Sequence, residues 1–168
     1  MTHLEELIAE YYQWQGHVVK CYAQVGKRIK GGWEMELDVV TYDPHANYLL
    51  HIEPSLDANS WAVREARFTK KFEAGRKYIF PALFPWLPTS TPLSQKAILI
   101  SAGPSHRTLA GAEVQTVDEF IAEVRAAVVA RGVLAKAAIP EHYPLLRTIQ
   151  YLECGYYRVI KPKAGDQG

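Results

Sequence analysis

A chain of 168 residues with a net charge of +1 has the length of one ordinary domain and can bury a substantial core. Hydrophobic residues at 48% and charged residues at 22% are normal for a soluble globular protein. No apolar run is long enough to span a bilayer, and the acidic, amphipathic N-terminus is unlike a signal peptide. These features exclude a membrane-spanning chain and predict a cytoplasmic protein without a membrane partner. Cys21 and Cys154 are too few and too far apart to indicate a disulfide framework or a zinc site.

The first third of the chain predicts a helix followed by an antiparallel meander. Apolar residues at helical spacing predict a helix over 3–14. Runs of β-branched and aromatic residues predict strands over 17–25, 33–42 and 48–53. Turn residues join the last two strands and favour a hairpin.

The remainder predicts an alternation of helices and strands. A long helix is expected over 60–80, followed by a Pro-rich loop over 80–94. Further strands are predicted over 96–102 and 112–117, and further helices over 118–131 and 142–153. We therefore expect one α/β domain over 1–160, with a mixed sheet and helices packed against it, and a flexible tail over 161–168.

Acidic residues occur in two neighbouring predicted strands. Glu34, Glu36 and Asp38 alternate with apolar residues, and Glu53 ends an apolar strand. If the hairpin places Asp38 beside Glu53, two carboxylates meet on one side of the sheet, which is unfavourable unless they are neutralised. Mg²⁺ is commonly held by one or two carboxylates and would neutralise them. Alternatively, Glu34 and Glu36 form a solvent-facing strand edge, and in an unrelated α/β domain Asp38 and Glu53 would lie on different faces.

Basic residues are concentrated in two short segments, which are the loop between the first two predicted strands and the long helix. Such clusters predict contacts with nucleic-acid phosphates, without reading of the base sequence. The residues proposed for this role are Lys27, Arg28, Arg64, Arg67, Lys70 and Lys71. The alternative is that both clusters are solvated surfaces.

The order of these motifs resembles that of the PD-(D/E)XK nuclease superfamily, which has the restriction-endonuclease-like fold. The family's E-x-D motif corresponds to Glu36-Leu37-Asp38, and its second-strand acid corresponds to Glu53. The acid of the first helix would be Glu5, or Glu6 in another register. The resemblance covers roughly residues 4–80 and implies an αβββαβ core with a mixed central sheet flanked by helices.

The resemblance also implies a function, which is hydrolysis of DNA phosphodiester bonds dependent on Mg²⁺ or Mn²⁺. Asp38 and Glu53 would hold the metal, with Glu5 and Glu36 assisting in catalysis. The metal would lower the pKa of a bound water and stabilise charge on the phosphate. The alternative is a catalytically inactive protein of the same fold that binds nucleic acid or a protein partner.

One residue departs from the family pattern. The family has a lysine two residues after the strand acid, and here that position is Ser55, which can donate a hydrogen bond but has no positive charge. Pro54 lacks an amide hydrogen and indicates that the strand ends or bulges there. If the lysine has migrated, Lys70 and Lys71 on the following helix, or Lys20 on the first strand, are the candidates for its catalytic role.

Two further features allow alternative interpretations. His51 shares the strand face of Glu53 and is either a proton carrier or a packed, hydrogen-bonded side chain. Phe80, Phe84 and Trp86 in the Pro-rich loop either cover a homodimer interface or close the core of one chain.

Overall fold

The computed structural model describes residues 2–155 and shows an α/β fold with a six-stranded mixed sheet flanked by helices, as the sequence predicts. The strands are β1 (Val18–Lys27), β2 (Trp33–Asp43), β3 (Tyr48–Ser55), β4 (Leu93–Leu99), β5 (Thr108–Leu109) and β6 (Ala112–Thr116). The helices are α1 (His3–Trp14), α2 (Trp61–Tyr78), α3 (Val117–Arg131), α4 (Leu134–Ala137) and α5 (Pro144–Glu153). The predicted flexible tail over 161–168 lies outside the described residues.

The sheet has the strand order β1-β2-β3-β4-β6-β5. Strands β1, β2 and β3 form the predicted antiparallel meander. Strand β4 follows α2 and pairs with β3 in parallel, and β6 pairs with β4 in parallel. The short β5 closes the sheet as an antiparallel edge strand. A parallel pair requires a crossover connection, and α2 supplies it between β3 and β4.

Helix α1 begins with a capping box. The Thr2 hydroxyl accepts from the Glu5 amide, and the Glu5 carboxylate accepts from the Thr2 amide. This arrangement satisfies two amides that have no partner within the helix. Leu4, Leu7 and Ile8 are buried, in agreement with the predicted apolar stripe.

Helix α2 packs its apolar residues on the sheet. Phe68 and Phe72 pack in one core cluster with residues of β4, β5 and β6. Ala74 lies in a second cluster, with residues of β1, β2 and β3. The helix continues into a π-helical turn over Ile79–Leu83, which contains Pro81.

Some element boundaries differ from the predicted ones. Strand β4 begins at Leu93, inside the predicted loop, and α4 and β5 were not predicted because they are too short to show periodicity. The predicted end of β3 at Pro54 is off by one residue, because β3 ends at Ser55 and pairs with β4 from Leu49 to Ser55. The β2 ladder stops at the pair of Val39 and Ile52, so Pro54 requires no amide hydrogen on that side.

The chain forms two compact units by contact, one ending at Ala122 and the other beginning at Glu123. The first unit contains the sheet, α1 and α2. In the second unit the buried Gln150 joins three segments, since its side chain bonds the backbone of Gly132, Ala137 and Ile139. Among residues 2–155, no helix is both long and apolar enough to cross a membrane.

Candidate active site

Asp38 and Glu53 lie on adjacent antiparallel strands and on the same side of the sheet. The register pairs Val39 with Ile52, so Asp38 and Glu53 follow as the next opposed residues. The Asp38 amide donates to Glu53 Oε1 at 3.2 Å. The Glu53 side chain is fully buried and that of Asp38 is 13% exposed. Asp38 and Glu53 therefore share one face of the sheet, as the predicted hairpin register places them, rather than lying on different faces.

Lys71 of α2 lies between the two carboxylates. Its Nζ donates to Asp38 Oδ2 at 2.7 Å and also to Glu53 Oε2. The Lys71 side chain is only 22% exposed, whereas Lys70 is exposed. Of Lys20, Lys70 and Lys71, Lys71 is therefore the one that reaches the acidic pair. Lys20 instead lies over the rings of Phe84 and Trp86.

The two carboxylates and one ammonium leave one negative charge uncompensated. Burial, then the hydrogen bond and charge of Glu53, raise the pKa of Asp38 to about 7, although Lys71 acts in the opposite direction. Burial lowers the pKa of Lys71, but the charges of Glu53 and Asp38 outweigh it and leave that pKa above its usual value. Lys71 therefore stays protonated at neutral pH, while Asp38 can take up a proton or bind a cation.

His51 is fully buried and supports Glu53 from the same strand. Its Nε2 lies 2.7 Å from Glu53 Oε1. On the other side of the ring, Gln95 Nε2 lies 3.1 Å from His51 Nδ1. Burial, and then the charge of Lys71, lower the pKa of His51 to about 3, so that its imidazole is neutral at pH 7. Of the two interpretations, the contacts favour a packed, hydrogen-bonded histidine.

Ser55 lies next to an arginine rather than a lysine. Arg67 Nη2 donates to Ser55 Oγ at 2.8 Å and lies 2.5 Å from Asp57 Oδ2. Ser55 Oγ also donates to Asp57. Burial raises the pKa of Asp57, but hydrogen bonds from Ser55, the Asn59 amide and the arginines outweigh it and hold that pKa well below its usual value. Ser55 is thus flanked by the cation of Arg67.

The six predicted nucleic-acid contacts fall into two groups of three, since Arg64, Arg67 and Lys71 pair with carboxylates and, among residues 2–155, the others do not. Arg64 is buried, and its guanidinium donates to the Asp57 side chain and to the Ser101 carbonyl, so it is a structural residue rather than a surface cation. Lys27, Arg28 and Lys70 are exposed. Arg28 and Lys70 also line a cavity of about 370 Å³, whose other charged lining residues are Glu34, Glu73 and Lys77.

Two of the predicted acids lie outside the cluster of Asp38, Glu53 and Lys71. Glu36 is exposed and pairs across the strands with Gln24. Glu5 caps α1 and accepts from the Tyr22 hydroxyl at 3.1 Å. Glu5 nevertheless lies near the end of β3, because it lines a cavity of about 80 Å³ together with Pro54 and Ser55.

Sequence reasoning missed several residues that shape the site. Tyr22 lies between Cys21 and Ala23, which pair with Val39 and Leu37 on either side of Asp38, and its φ of +52° is rare for a bulky residue. Gly75 of α2 leaves the space that the His51 ring fills, since a Cβ there would lie 2.3 Å from His51 Nδ1. Asp57 and Gln95 have no motif around them. The one signal available in the sequence was Gly75, because a glycine inside a predicted helix indicates a close packing contact.

The carboxylate oxygens of Asp38 and Glu53 are of the kind that binds a hard divalent cation. Glu53 Oε2 and Asp38 Oδ2 converge on one position, where each accepts from Lys71. Among residues 2–155, no cluster of three or more His, Cys, Asp or Glu side chains is arranged to hold a metal ion. Two carboxylates are sufficient for Mg²⁺ when waters and substrate phosphates complete its coordination.

No protein-family model matches the chain, and no curated protein matches it.

Proposed function

We propose that the protein is a metal-dependent phosphodiester hydrolase that cleaves DNA, as the resemblance to PD-(D/E)XK nucleases implies. The observation that carries the proposal is the convergence of Asp38, Glu53 and Lys71, with one negative charge left over. The order of helix, three antiparallel strands, crossover helix and parallel strand is compatible with that family's core. A buried acidic pair with an inward lysine has little structural benefit, since hydrophobic residues would stabilise the same space as well.

In this reaction the two carboxylates would bind the metal, and the two cations would contact the phosphate. Asp38 Oδ2 and Glu53 Oε2 would hold Mg²⁺ or Mn²⁺, which when bound lowers the pKa of a coordinated water and stabilises charge on the phosphate. Lys71 has a long, flexible side chain and carries the ammonium that the family places at position 55. It can donate to a phosphate oxygen instead of to the carboxylates. Arg67, beside Ser55, adds a second cation at the same edge of the site.

A second candidate function is binding without catalysis. It is favoured by one observation, which is that Lys71 already pairs with both carboxylates. In such a protein the cluster would be a buried ion-pair network, and the fold would bind nucleic acid or a protein partner. A homodimer has weaker support, because Phe84 is fully buried in the core of one chain, although Trp86 is 60% exposed.

A cleavage assay separates the two functions. The purified protein is incubated with supercoiled, linear, branched and single-stranded DNA in Mg²⁺ or Mn²⁺, with EDTA as the blank. We expect cleavage of at least one substrate, its loss in Asp38→Asn, and a fall in kcat of about 100-fold or more in Lys71→Ala, because an electrostatic donor to the reacting phosphate is removed.

Lys70→Ala is the matched control, because Lys70 is the exposed neighbour of Lys71 on the same helix. It should raise KM by weakening DNA binding and leave kcat near the wild-type value. An inert wild-type protein would support the binding function instead. Cleavage that survives Asp38→Asn combined with Glu53→Gln would refute the proposed site.

A further inference from the structure

The hydrogen bonds around His51 show which of its two ring nitrogens faces a donor and which faces an acceptor. Gln95 Nε2 donates to the Phe72 carbonyl at 2.8 Å, and Gln95 Oε1 accepts from Arg76. These two contacts orient the Gln95 amide, so the group that faces His51 Nδ1 at 3.1 Å is a donor. His51 Nδ1 must therefore accept, and the ring proton that faces Glu53 lies on Nε2.

This proton is directed at one oxygen of Glu53. His51 Nε2 lies 2.7 Å from Glu53 Oε1, and the Asp38 amide donates to the same oxygen at 3.2 Å. The other oxygen, Oε2, is left facing Lys71 and Asp38. The contact is close-packed as well as bonded, because the His51 ring lies against Gly75 and is edge-on to the Phe72 ring.

We propose that His51, oriented by Gln95, is a positioning residue that holds Glu53 Oε1 so that Oε2 is presented to a divalent cation shared with Asp38. This inference rests on the proposed function for its cation and on the described contacts for its geometry. His51 does not touch substrate or metal. It acts through Glu53, as a donor that orients a ligating carboxylate.

Long-range ¹H–¹⁵N spectra of the labelled full-length chain at pH 7, without metal, test the geometry. The His51 signals are assigned by their loss in His51→Gln. We expect the neutral ring with its proton on Nε2, and we expect the ¹³Cδ shift of Glu53 to change in His51→Leu. A proton on Nδ1, a doubly protonated ring or an unchanged Glu53 shift would overturn the proposal.

Titration of Mn²⁺ into the same proteins tests the role of His51 toward the cation. His51→Leu should weaken Mn²⁺ binding by about 10- to 100-fold, the usual effect of losing a partner of a metal ligand. His51→Gln should restore most of the affinity, since its amide nitrogen can take the place of Nε2. His51→Asn is the control, because its shorter amide does not reach Glu53. Wild-type affinity in His51→Leu, or equal rescue by Asn and Gln, would overturn the proposal.

A second variant covers the case in which His51→Leu does not fold. Gln95 is only partly buried, so Gln95→Met should keep a cooperative thermal transition while it removes the donor to Nδ1. It should weaken Mn²⁺ binding several-fold, and unchanged binding would count against the proposal. If wild-type protein does not bind Mn²⁺ at all, the proposed function fails. The metal-free spectra then decide separately whether His51 positions Glu53.

Discussion

At the scale of single residues, the charge of the site depends on one ammonium shared by two carboxylates. Lys71 compensates one negative charge, and the other remains on a largely buried Asp38. Burial, and then the hydrogen bond and charge of Glu53, raise the pKa of Asp38 to about 7. Ionised Asp38 therefore destabilises the folded protein, and protonation of its carboxylate removes this unfavourable charge.

This imbalance predicts how stability changes with pH. The pKa of Asp38 is about 7 in the folded chain and 3.8 when it is unperturbed. Between those values the folded protein holds a proton that the unfolded chain has released, so the free energy of unfolding should fall as pH rises from about 4 to about 7. Asp38→Asn removes this dependence. At pH 8 it should raise the free energy of unfolding by on the order of 2 kcal/mol, and near pH 4 it should have little effect.

Urea unfolding in EDTA over this pH range measures the difference. Glu36→Gln is the matched control, because Glu36 is an exposed acid on the same strand. It should show no difference from wild type that grows with pH. A lower free energy of unfolding for Asp38→Asn at pH 8 would mean that Lys71 fully stabilises both carboxylates.

At the scale of elements, α2 carries a row of cations on its sheet-facing side. Arg64, Arg67 and Lys71 are three and four residues apart, as a surface cluster would be, but they contact Asp57, Asp38 and Glu53. These carboxylates lie on β2, on β3 and in the segment after β3. Helical spacing shows that these residues share one face of the helix. It does not show whether that face points to solvent or pairs with carboxylates of the same chain.

Gly75 allows α2 to approach His51, and replacing it tests that contact. An alanine in place of glycine normally stabilises a helix interior by about 0.5–1 kcal/mol. In Gly75→Ala the new Cβ would lie 2.3 Å from His51 Nδ1 and 3.0 Å from Gln95 Nε2. We therefore expect the opposite sign, a loss of about 1–3 kcal/mol in the free energy of unfolding.

Chemical unfolding of Gly75→Ala, His51→Ser and the double variant provides the check. The loss from Gly75→Ala should shrink in the His51→Ser background, because the smaller side chain removes the clash. A stabilising Gly75→Ala in the wild-type background would show that His51 and α2 can separate at little cost.

Periodicity and turn chemistry predicted most of the fold, but less of the site. The meander, the crossover helix and the parallel strand follow from local patterns, and the hairpin register brings Asp38 to Glu53. The direction of Lys71 was left open, since it depends on how far the helix rotates against the sheet. Gln95 was missed because it is distant in sequence from His51, and a single amide in a strand has no local signature.

At the scale of the whole molecule, a net charge of +1 conceals two kinds of cation. Arg64, Arg67 and Lys71 are engaged by carboxylates, whereas Arg28 and Lys70 are exposed beside the larger cavity. A polyanion arriving from solvent meets the exposed group first. Under the proposed function, the exposed cations would contribute most of the salt-dependent affinity for DNA.

Salt titrations of DNA binding should separate the two kinds of cation. Lys70→Ala and Arg28→Ala should each lower the slope of log affinity against log salt by about one, to a similar extent for all sequences. Lys136→Ala, which removes the same charge from α4, should leave the slope unchanged. Fluorescence anisotropy at low salt measures the affinity, and complete absence of binding there would remove nucleic acid from the proposed partners.

Arg64 should behave differently from the exposed cations. It is buried and bonds Asp57 and the Ser101 carbonyl, so Arg64→Ala should lower the free energy of unfolding by about 1–3 kcal/mol through the loss of these hydrogen bonds, while Asp57 keeps its contact with Arg67. The salt slope of the remaining folded protein should not change. Thermal unfolding, measured beside the anisotropy, distinguishes a lost fold from a lost contact.

The contact between His51 and Gly75 also constrains how this sequence can diverge. A side chain at position 75 requires a smaller residue at position 51, so the two positions should vary together among descendants of a common ancestor. Lys71 lies one helical turn before Gly75, and His51 lies two residues before Glu53. Histidine and glutamate two apart, then lysine and glycine four apart on the next helix, therefore form a combined signature. Distant kin that have lost overall similarity should retain this signature, and, under the proposed function, kin with a lysine at position 55 would be free to change position 71.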